Sequence, residues 1–339
     1  MEMNTWVCKQ PGLFESKIAN VPKQLNGQTV LQIKRVGICG TDLHAYEGTQ
    51  PFFSYPRILG HELAAVIIET DHADFSTGEN VTIIPYFNCG KCIACRNEKP
   101  NCCEQLNVLG VHIDGALSEY ISVPSNSLVK SKGLSFDQLA LVEPLAIGAH
   151  GVKRANIQPG EFVLIVGSGP IGLGVIEFAK IAGAKVIVMD VQESRLQFCT
   201  EKFKIEFTIN PSKEEVVKKL NEITNGEMPT VVIDATGNLQ AINQSFQFLA
   251  HGGSYVLVGL QKGDIVFSHP EFHKREATVM SSRNATRQDF EFVIQSMLSR
   301  AINPLNYITH RVTFDQVKES FPGLMLPENE VIKAMVEFA

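Results

Sequence analysis

The chain has 339 residues, 44% apolar and 19% charged, with 26 Gly and 16 Pro, which excludes collagen-like and disordered classes and allows two domains with sizeable cores. Thirty basic against 36 acidic residues give a net charge of -6 and a pI near 5.9. That balance argues against a nucleic-acid partner, because phosphate contacts need concentrated Lys and Arg.

The opening MEMNTWVCKQPGLFESK lacks the basic and apolar regions of a secretory signal. No later run offers the roughly 18 uninterrupted apolar residues that would read as a membrane span. The expectation is a cytoplasmic chain with no membrane partner, whose eight cysteines stay reduced and serve metal or redox chemistry.

Residues 1–145 contain short β-rich runs with turn signals, among them TVLQIKRVGICG, ELAAVIIET and ENVTIIPYF. They predict a barrel-like or meandering β domain. From Gly160 the texture changes. EFVLIVGSGPIG predicts a buried strand entering a Gly-rich turn, GLGVIEFAKIAGA a helix, and AKVIVMD a second strand, which together make one βαβ unit. TVVIDATG and GGSYVLVGL predict two further buried strands around a helix in LQAINQSFQFLAHGG. The pattern predicts a parallel-sheet domain over 146–284. Residues 285–339, with a helix near DFEFVIQSMLSR and a strand near VIKAMVEFA, would return to the first domain.

Cys89, Cys92, Cys95 and Cys103 read C-x2-C-x2-C-x7-C. Four thiolates from one loop would close a tetrahedral zinc site and leave no position for substrate, so the lobe 89–103 should be structural. Cys102 competes for the fourth place, and an iron-sulfur cluster uses the same ligand type. Redox cysteines and a nucleic-acid zinc ribbon are further alternatives. A second group is dispersed: Cys39 in GICGTDLH, His61 with Glu62 in ILGHEL, and Glu143 in ALVEPLAIGAH. HELAA is not a zinc-protease helix, because Ala65 stands where the second His would be. Each of these residues has a plain alternative: a buried cysteine, a satisfied loop histidine, a helix-capping glutamate.

Gly167, Gly169 and Gly172, with Pro170 and Ile171 between them, form a G-x-G-x-x-G turn between a predicted strand and a predicted helix. Such a turn lets a pyrophosphate approach the backbone at a helix N-terminus. Asp190 ends the next strand, where a carboxylate accepts from both ribose hydroxyls of NAD and repels the 2′-phosphate of NADP. Arg195 is placed to lie against an adenine or at the surface, and could weaken that preference. Later strand ends add Thr236, Gly237, Val258, Gly259, Leu260, Ser282 and Arg283 as cofactor candidates.

Taken together, CGTDLH, LGHE, the four-cysteine lobe, HIDGALSEY, EP, the Gly-rich turn and SSRNAT resemble, in order and over essentially the whole chain, the zinc-containing medium-chain alcohol dehydrogenase family. Glu143, where many alcohol dehydrogenases have a second cysteine, makes the chain similar to the polyol and threonine dehydrogenase branch. Within that branch, GTQPFFSYPRILGHE and HPEFHKREATVMSSRNAT most resemble bacterial L-galactonate and L-gulonate 5-dehydrogenases.

The resemblance implies an α/β protein with a GroES-like β-barrel catalytic domain and a Rossmann domain, assembled as a homodimer or homotetramer. It implies two zinc ions per chain and NAD in preference to NADP. Cys39, His61 and Glu143 would hold the catalytic zinc, with Glu62 ligating or exchanging with water and substrate. Thr41 would take the substrate proton and His44 would pass it through the cofactor ribose to solvent, a task suited to a group titrating near neutrality. Arg283 and, less directly, Arg57 are cations for a sugar-acid carboxylate, with Glu143 also at the substrate. Phe52, Phe53 and Tyr55 could wall its pocket. The implied reaction is hydride transfer from a secondary alcohol of a sugar acid at C5. Alternatives are a sorbitol-like polyol, L-threonine, or a non-catalytic NAD- or zinc-sensing protein on the same fold.

Overall fold

In the computed structural model, which describes residues 1–51 and 53–339, the chain leaves its first unit after Glu143 and returns to it at Thr286. Met1–Glu143 with Thr286–Ala339 form one unit and Pro144–Ala285 the other.

The first unit is built around the strand Gln28–Ile38, whose β-branched run suits a pleated surface buried by neighbours. Glu62–Thr70 pairs antiparallel along one edge. Tyr120–Pro124 pairs with its first half and Lys333–Glu337 with its second. The final strand therefore lies beside the segment that runs into Cys39. Leu31, Ile33, Leu63 and Ile67, all at most 1% exposed, anchor the core beneath these strands. A smaller sheet orders Leu13–Asn20, Glu2–Gln10 and Arg57–Ile58. The rings of Phe14, Tyr46 and Phe321 meet at 5.0 to 5.3 Å and fasten the helix Gly40–Glu47 to the sheet and to the returning segment. Burying such rings contributes about 2–3 kcal/mol each, which keeps the turn at Cys39 in place.

The second unit is a six-stranded parallel sheet in the spatial order Phe207–Ile209, Lys185–Met189, Phe162–Val166, Val231–Asp234, Ser254–Leu257, Thr278–Ser281. Numbered along the chain that is 3-2-1-4-5-6, the doubly wound dinucleotide-binding arrangement. The four apolar runs read from the sequence are its four central strands. Both edge strands are additional. Phe207–Ile209 has only three residues, and Thr278–Ser281 is mostly exposed, so neither carries a long apolar signature. The helices Glu193–Phe203 and Val216–Ile223 are also additional. The stretch expected to be one helix from Leu239 is α-helical only over Leu239–Ser245 and tightens to a 3-10 turn over Phe246–Phe248. There Phe246 turns in to stack edge-on against Tyr255 at 4.8 Å. No helix among the described residues is long and apolar enough to cross a membrane.

Candidate functional site

In the cysteine lobe, the sulfurs of Cys89, Cys92, Cys95 and Cys103 all lie within 4.8 Å of one another. Cys92 Sγ is 3.5 Å from Cys95 Sγ and 3.9 Å from Cys103 Sγ, bracketing the roughly 3.8 Å edge of a tetrahedron with Zn–S bonds of about 2.3 Å. Backbone amides already point at these sulfurs. Cys89 N donates to Cys103 Sγ at 3.3 Å and Cys92 N to Cys89 Sγ at 3.4 Å. Amides aimed at Cys92, foremost that of Cys95, bring its thiol down to about 6 and favour its thiolate, whereas burial pushes the Cys103 thiol up to about 11. Cys102 is exposed and stands outside the group. The donor set fits a closed zinc site.

The second group is buried in the same unit. Cys39 caps the helix Gly40–Glu47, and its sulfur, a ring nitrogen of His61 and a carboxylate oxygen of Glu62 lie within 4.8 Å of one another. Asp42, fully buried, ties the two loops together. It accepts from Cys39 N at 2.9 Å and Gly60 N at 3.1 Å, and its Oδ1 faces His61 Nδ1 at 3.9 Å. No hydrogen bond spans that gap, so His61 Nδ1 is buried without a partner while the carboxylate stands close behind the ring. Glu143, 1% exposed, is not one of that close trio. Tyr86 donates its hydroxyl to Glu143 Oε1, while Oε2 is buried without a partner. Glu62 has the opposite circumstance, since Lys333 Nζ reaches both of its oxygens, at 2.7 and 2.6 Å.

The charges of this pocket show what it lacks. Burial pushes the Glu143 carboxyl up to about 7 and lifts Tyr86 well above its usual range, with Glu143 adding to the effect. Burial alone would lower His61, yet Asp42, Cys39 and Glu143 together raise it well above an ordinary histidine. Burial makes the acids resist ionising, and the acidic neighbours keep the histidine protonated. A buried divalent cation would satisfy the free Glu143 oxygen among these groups. Thiolate, imidazole and carboxylate are the donors zinc takes at catalytic sites, so the residues fit.

Thr41 lies half-buried in the first turn of the helix after Cys39. His44 is on the same helix with its side chain 62% exposed, Nδ1 lying 3.2 Å from Glu47 Oε2 and 3.3 Å from Thr49 Oγ1. Arg57 is drawn elsewhere. It pairs with Asp114 at 3.3 Å and donates to Ser54 at 3.1 Å. It lines a groove of about 650 Å³ together with Lys9 and Lys17, which none of the candidate metal ligands borders. Phe53 and Tyr55 meet edge-on at 4.8 Å and pack on the core of their own unit, which accounts for their apolar surface without a pocket. Phe52 lies outside the described residues.

In the second unit the Gly-rich turn joins Phe162–Val166 to the helix Pro170–Ile181. Gly167 has φ +93°, a conformation that favours glycine, and a Cβ on Gly172 would collide with the Gly167 carbonyl. Asp190 Oδ2 accepts from both the amide and the hydroxyl of Ser168, each at 2.8 Å, and Oδ1 accepts from Gln192 N at 2.9 Å. The carboxylate thus shapes the turn. Arg195 lies against it, its Nη1 3.6 Å from where a Gly169 Cβ would stand. Thr236 and Gly237 are gathered by buried Asp234, which accepts from Thr236 Oγ1 at 2.8 Å and Gly237 N at 3.1 Å. Val258 N and Gly259 N donate to the Asp234 carbonyl, while Leu260 beyond them is exposed. Ser282 follows the edge strand with its hydroxyl buried and unpartnered, and Arg283 beside it is exposed. All these groups follow the carboxyl ends of parallel strands, where this sheet class binds ligands.

Residues 25–133 match the alcohol dehydrogenase GroES-like domain and residues 170–299 match the zinc-binding dehydrogenase domain. Over 338 residues the chain is 43% identical to an L-galactonate-5-dehydrogenase of Escherichia coli K12, covering 99% of each protein. The chain belongs to the zinc-type alcohol dehydrogenase family. Solved structures agree in fold. One is an Escherichia coli CFT073 alcohol dehydrogenase, rspB, complexed with NADH: TM-score 0.93, 29% identity, 99% of each chain covered. Another, described as a zinc-binding dehydrogenase of Sinorhizobium meliloti 1021 and bound to NADP, gives TM-score 0.91 at 25% identity over 99% of each chain.

Several residues of this zinc-type dehydrogenase that shape its sites were not singled out from sequence: Asp42, Tyr86, Ser168, Asp234 and Lys333. Asp42 and Ser168 sit inside motifs that were read, and a count of acceptors for the buried amides would have flagged them. Tyr86 and Lys333 carried no such signal, because their partners are 57 and 271 positions away.

Proposed function

We propose that this dehydrogenase oxidises a secondary hydroxyl of a polyhydroxy acid, at C5 of an L-galactonate- or L-gulonate-like hexonate, with NAD preferred over NADP and two zinc ions per chain. The observation that carries the reading is the close meeting of Cys39, His61 and Glu62, with Glu143 nearby offering a buried oxygen that has no partner. Bound zinc supplies Lewis acidity to the substrate hydroxyl, and bound NAD accepts the hydride. Thr41 takes the hydroxyl proton and His44, open to water, passes it on. Asp190 would hold the ribose hydroxyls and disfavour a 2′-phosphate, and Arg195, beside Gly169, would be in place for the adenine. Residues 236–237, 258–260 and 282–283 complete the cofactor's surroundings. Arg283 offers a bidentate cation to the substrate carboxylate, and Arg57, engaged by Asp114, is not retained for that task. Support for a hexonate comes from the full-length similarity to a protein named for L-galactonate.

The test is NADH formation by the purified protein across L-galactonate, L-gulonate, sorbitol and L-threonine. A hexonate should lead by about 100-fold or more in kcat/KM, because a site built to pair a carboxylate rejects analogues lacking it. A lead for sorbitol or L-threonine would replace the sugar-acid reading with a polyol or amino-acid one.

A further inference from the structure

The stretch HPEFHKREATVMSSRNAT begins with two histidines four residues apart, and neither belongs to the candidate zinc groups or to the Gly-rich turn. In the second unit both fall on the short helix His269–Lys274. Residues four apart stand one above the other on a helix face. The His269 and His273 rings have their centroids 5.8 Å apart. Both residues are exposed, and neither ring meets a hydrogen-bond or ion-pair partner among the described residues. The helix that presents them is anchored from its other side. The Phe272 ring meets Phe267 at 4.9 Å and Phe246 at 6.1 Å, and Arg275 Nε donates to the Leu249 carbonyl at 3.2 Å. Anchoring of this kind sets two donors side by side in advance, which lowers the ordering cost of binding an ion between them.

Two imidazoles on one ion, with metal–nitrogen bonds of about 2.0–2.1 Å, put their centroids roughly 5 Å apart. A small rotation about the side-chain bonds therefore turns the observed pair into a chelate. We propose that His269 and His273 form a surface clasp for a divalent transition-metal ion of the class that takes imidazole, separate from both candidate zinc groups. Glu271, the carboxylate of this helix, is taken by Lys274 at 3.1 Å and by Arg275 at 2.7 Å. The helix thus supplies two nitrogens, and water fills the remaining positions. Such a site is open and exchangeable, unlike the four-thiolate lobe. Glu271, Lys274 and Arg275 leave one net positive charge on the helix, so binding draws on coordination by neutral ring nitrogens and not on general attraction.

Calorimetric titration of the protein as purified with Ni²⁺ at neutral pH tests this, with circular dichroism confirming the fold of each variant. The parent should show a Ni²⁺ binding event that His269→Asn and His273→Asn each weaken by about tenfold or more, because the second nitrogen of a chelate acts at an effective concentration far above that of a separate ligand. A parent that binds no Ni²⁺ overturns the proposal. So does a loss of less than about tenfold in either variant, which would place the ion on a single histidine or elsewhere in the chain. Should an asparagine variant not fold, glutamine at the same position decides by the same measure. Mg²⁺ should give no event that the variants remove, since it takes oxygen donors, and a Mg²⁺ event lost with the histidines would overturn the assignment to imidazole-binding metals.

Discussion

Cys39 and Cys92 are the same residue type given different work by their surroundings. Cys39 shares a buried pocket with an imidazole and carboxylates, whereas Cys92 meets only thiols and backbone amides. Cys39→Ser should leave the melting curve nearly unchanged while turnover falls by about 10³-fold or more, the weight of several kcal/mol of charge stabilisation. A variant that keeps a tenth of the activity would remove Cys39 from the chemistry. Asp190 anchors Ser168 and Gln192 and is proposed to face the ribose. In Asp190→Gly the ratio of kcat/KM for NADP over NAD should rise by about tenfold, the value of one charge-assisted hydrogen bond, while use of both cofactors falls because the turn loses its anchor. Steady-state kinetics with each cofactor read this, and an unaltered ratio assigns the choice to another residue.

At the scale of elements, the returning segment joins the first unit through strand pairing and ring contacts, and the cysteine lobe is proposed to be held by its own metal. Cys92→Ser should release the lobe's metal and cost roughly 3 kcal/mol, with proteolysis appearing between residues 89 and 103. An uncut, equally stable variant would show that the lobe folds without zinc. A second joint is electrostatic. Asp137 in the short helix Phe136–Ala140 accepts from Arg35 Nε at 2.9 Å and Arg311 Nη2 at 2.7 Å, and Arg311 also reaches Glu337. Burial would raise the Asp137 carboxyl, but the two arginines outweigh it and hold it below its ordinary 3.8. A depressed folded-state value means that its stabilisation is fully present above about 3.8 and is lost as pH falls through the lower folded value. Asp137→Asn should therefore cost about 1 kcal/mol at pH 7, allowing for screening at half-exposed Arg311. Denaturant melts at pH 7 and pH 2 check this, since the gap from the parent should narrow at the lower pH. A gap that persists at pH 2 would trace the loss to packing.

At the scale of the molecule, the sheet of the second unit ends on an open edge. Thr278–Ser281 has no Lys or Pro to block pairing, and Val266, Phe267 and Val279 are exposed. Unprotected edges of this kind invite another chain. We propose that the homodimer or homotetramer implied by the sequence resemblance would form there, and Val279→Lys should shift sedimentation toward monomer with the fold retained. A parent chain that sediments as a monomer at micromolar concentration would end the proposal. The net charge of -6 gives no general attraction for the proposed anionic substrate, so local cations would have to supply it.

Features set by neighbours along the chain were legible from sequence: the C-x2-C-x2-C-x7-C lobe, the Gly-rich turn between strand and helix, the four central strands, and the motifs CGTDLH and LGHE. Each depends on spacings of a few residues, which backbone geometry converts directly into structure. Features set by strand order were not. Arg57 looked available beside LGHE until the fold gave it Asp114. Lys333 was one charge in a C-terminal strand until pairing with Gln28–Ile38 laid it across Gly37 from Glu62. Which buried carboxylate is clamped and which keeps a free oxygen depends on partners 57 and 271 positions apart. Tertiary structure decides such matters because hydrogen bonds and Coulomb forces act over ångströms of space, whatever the separation in sequence.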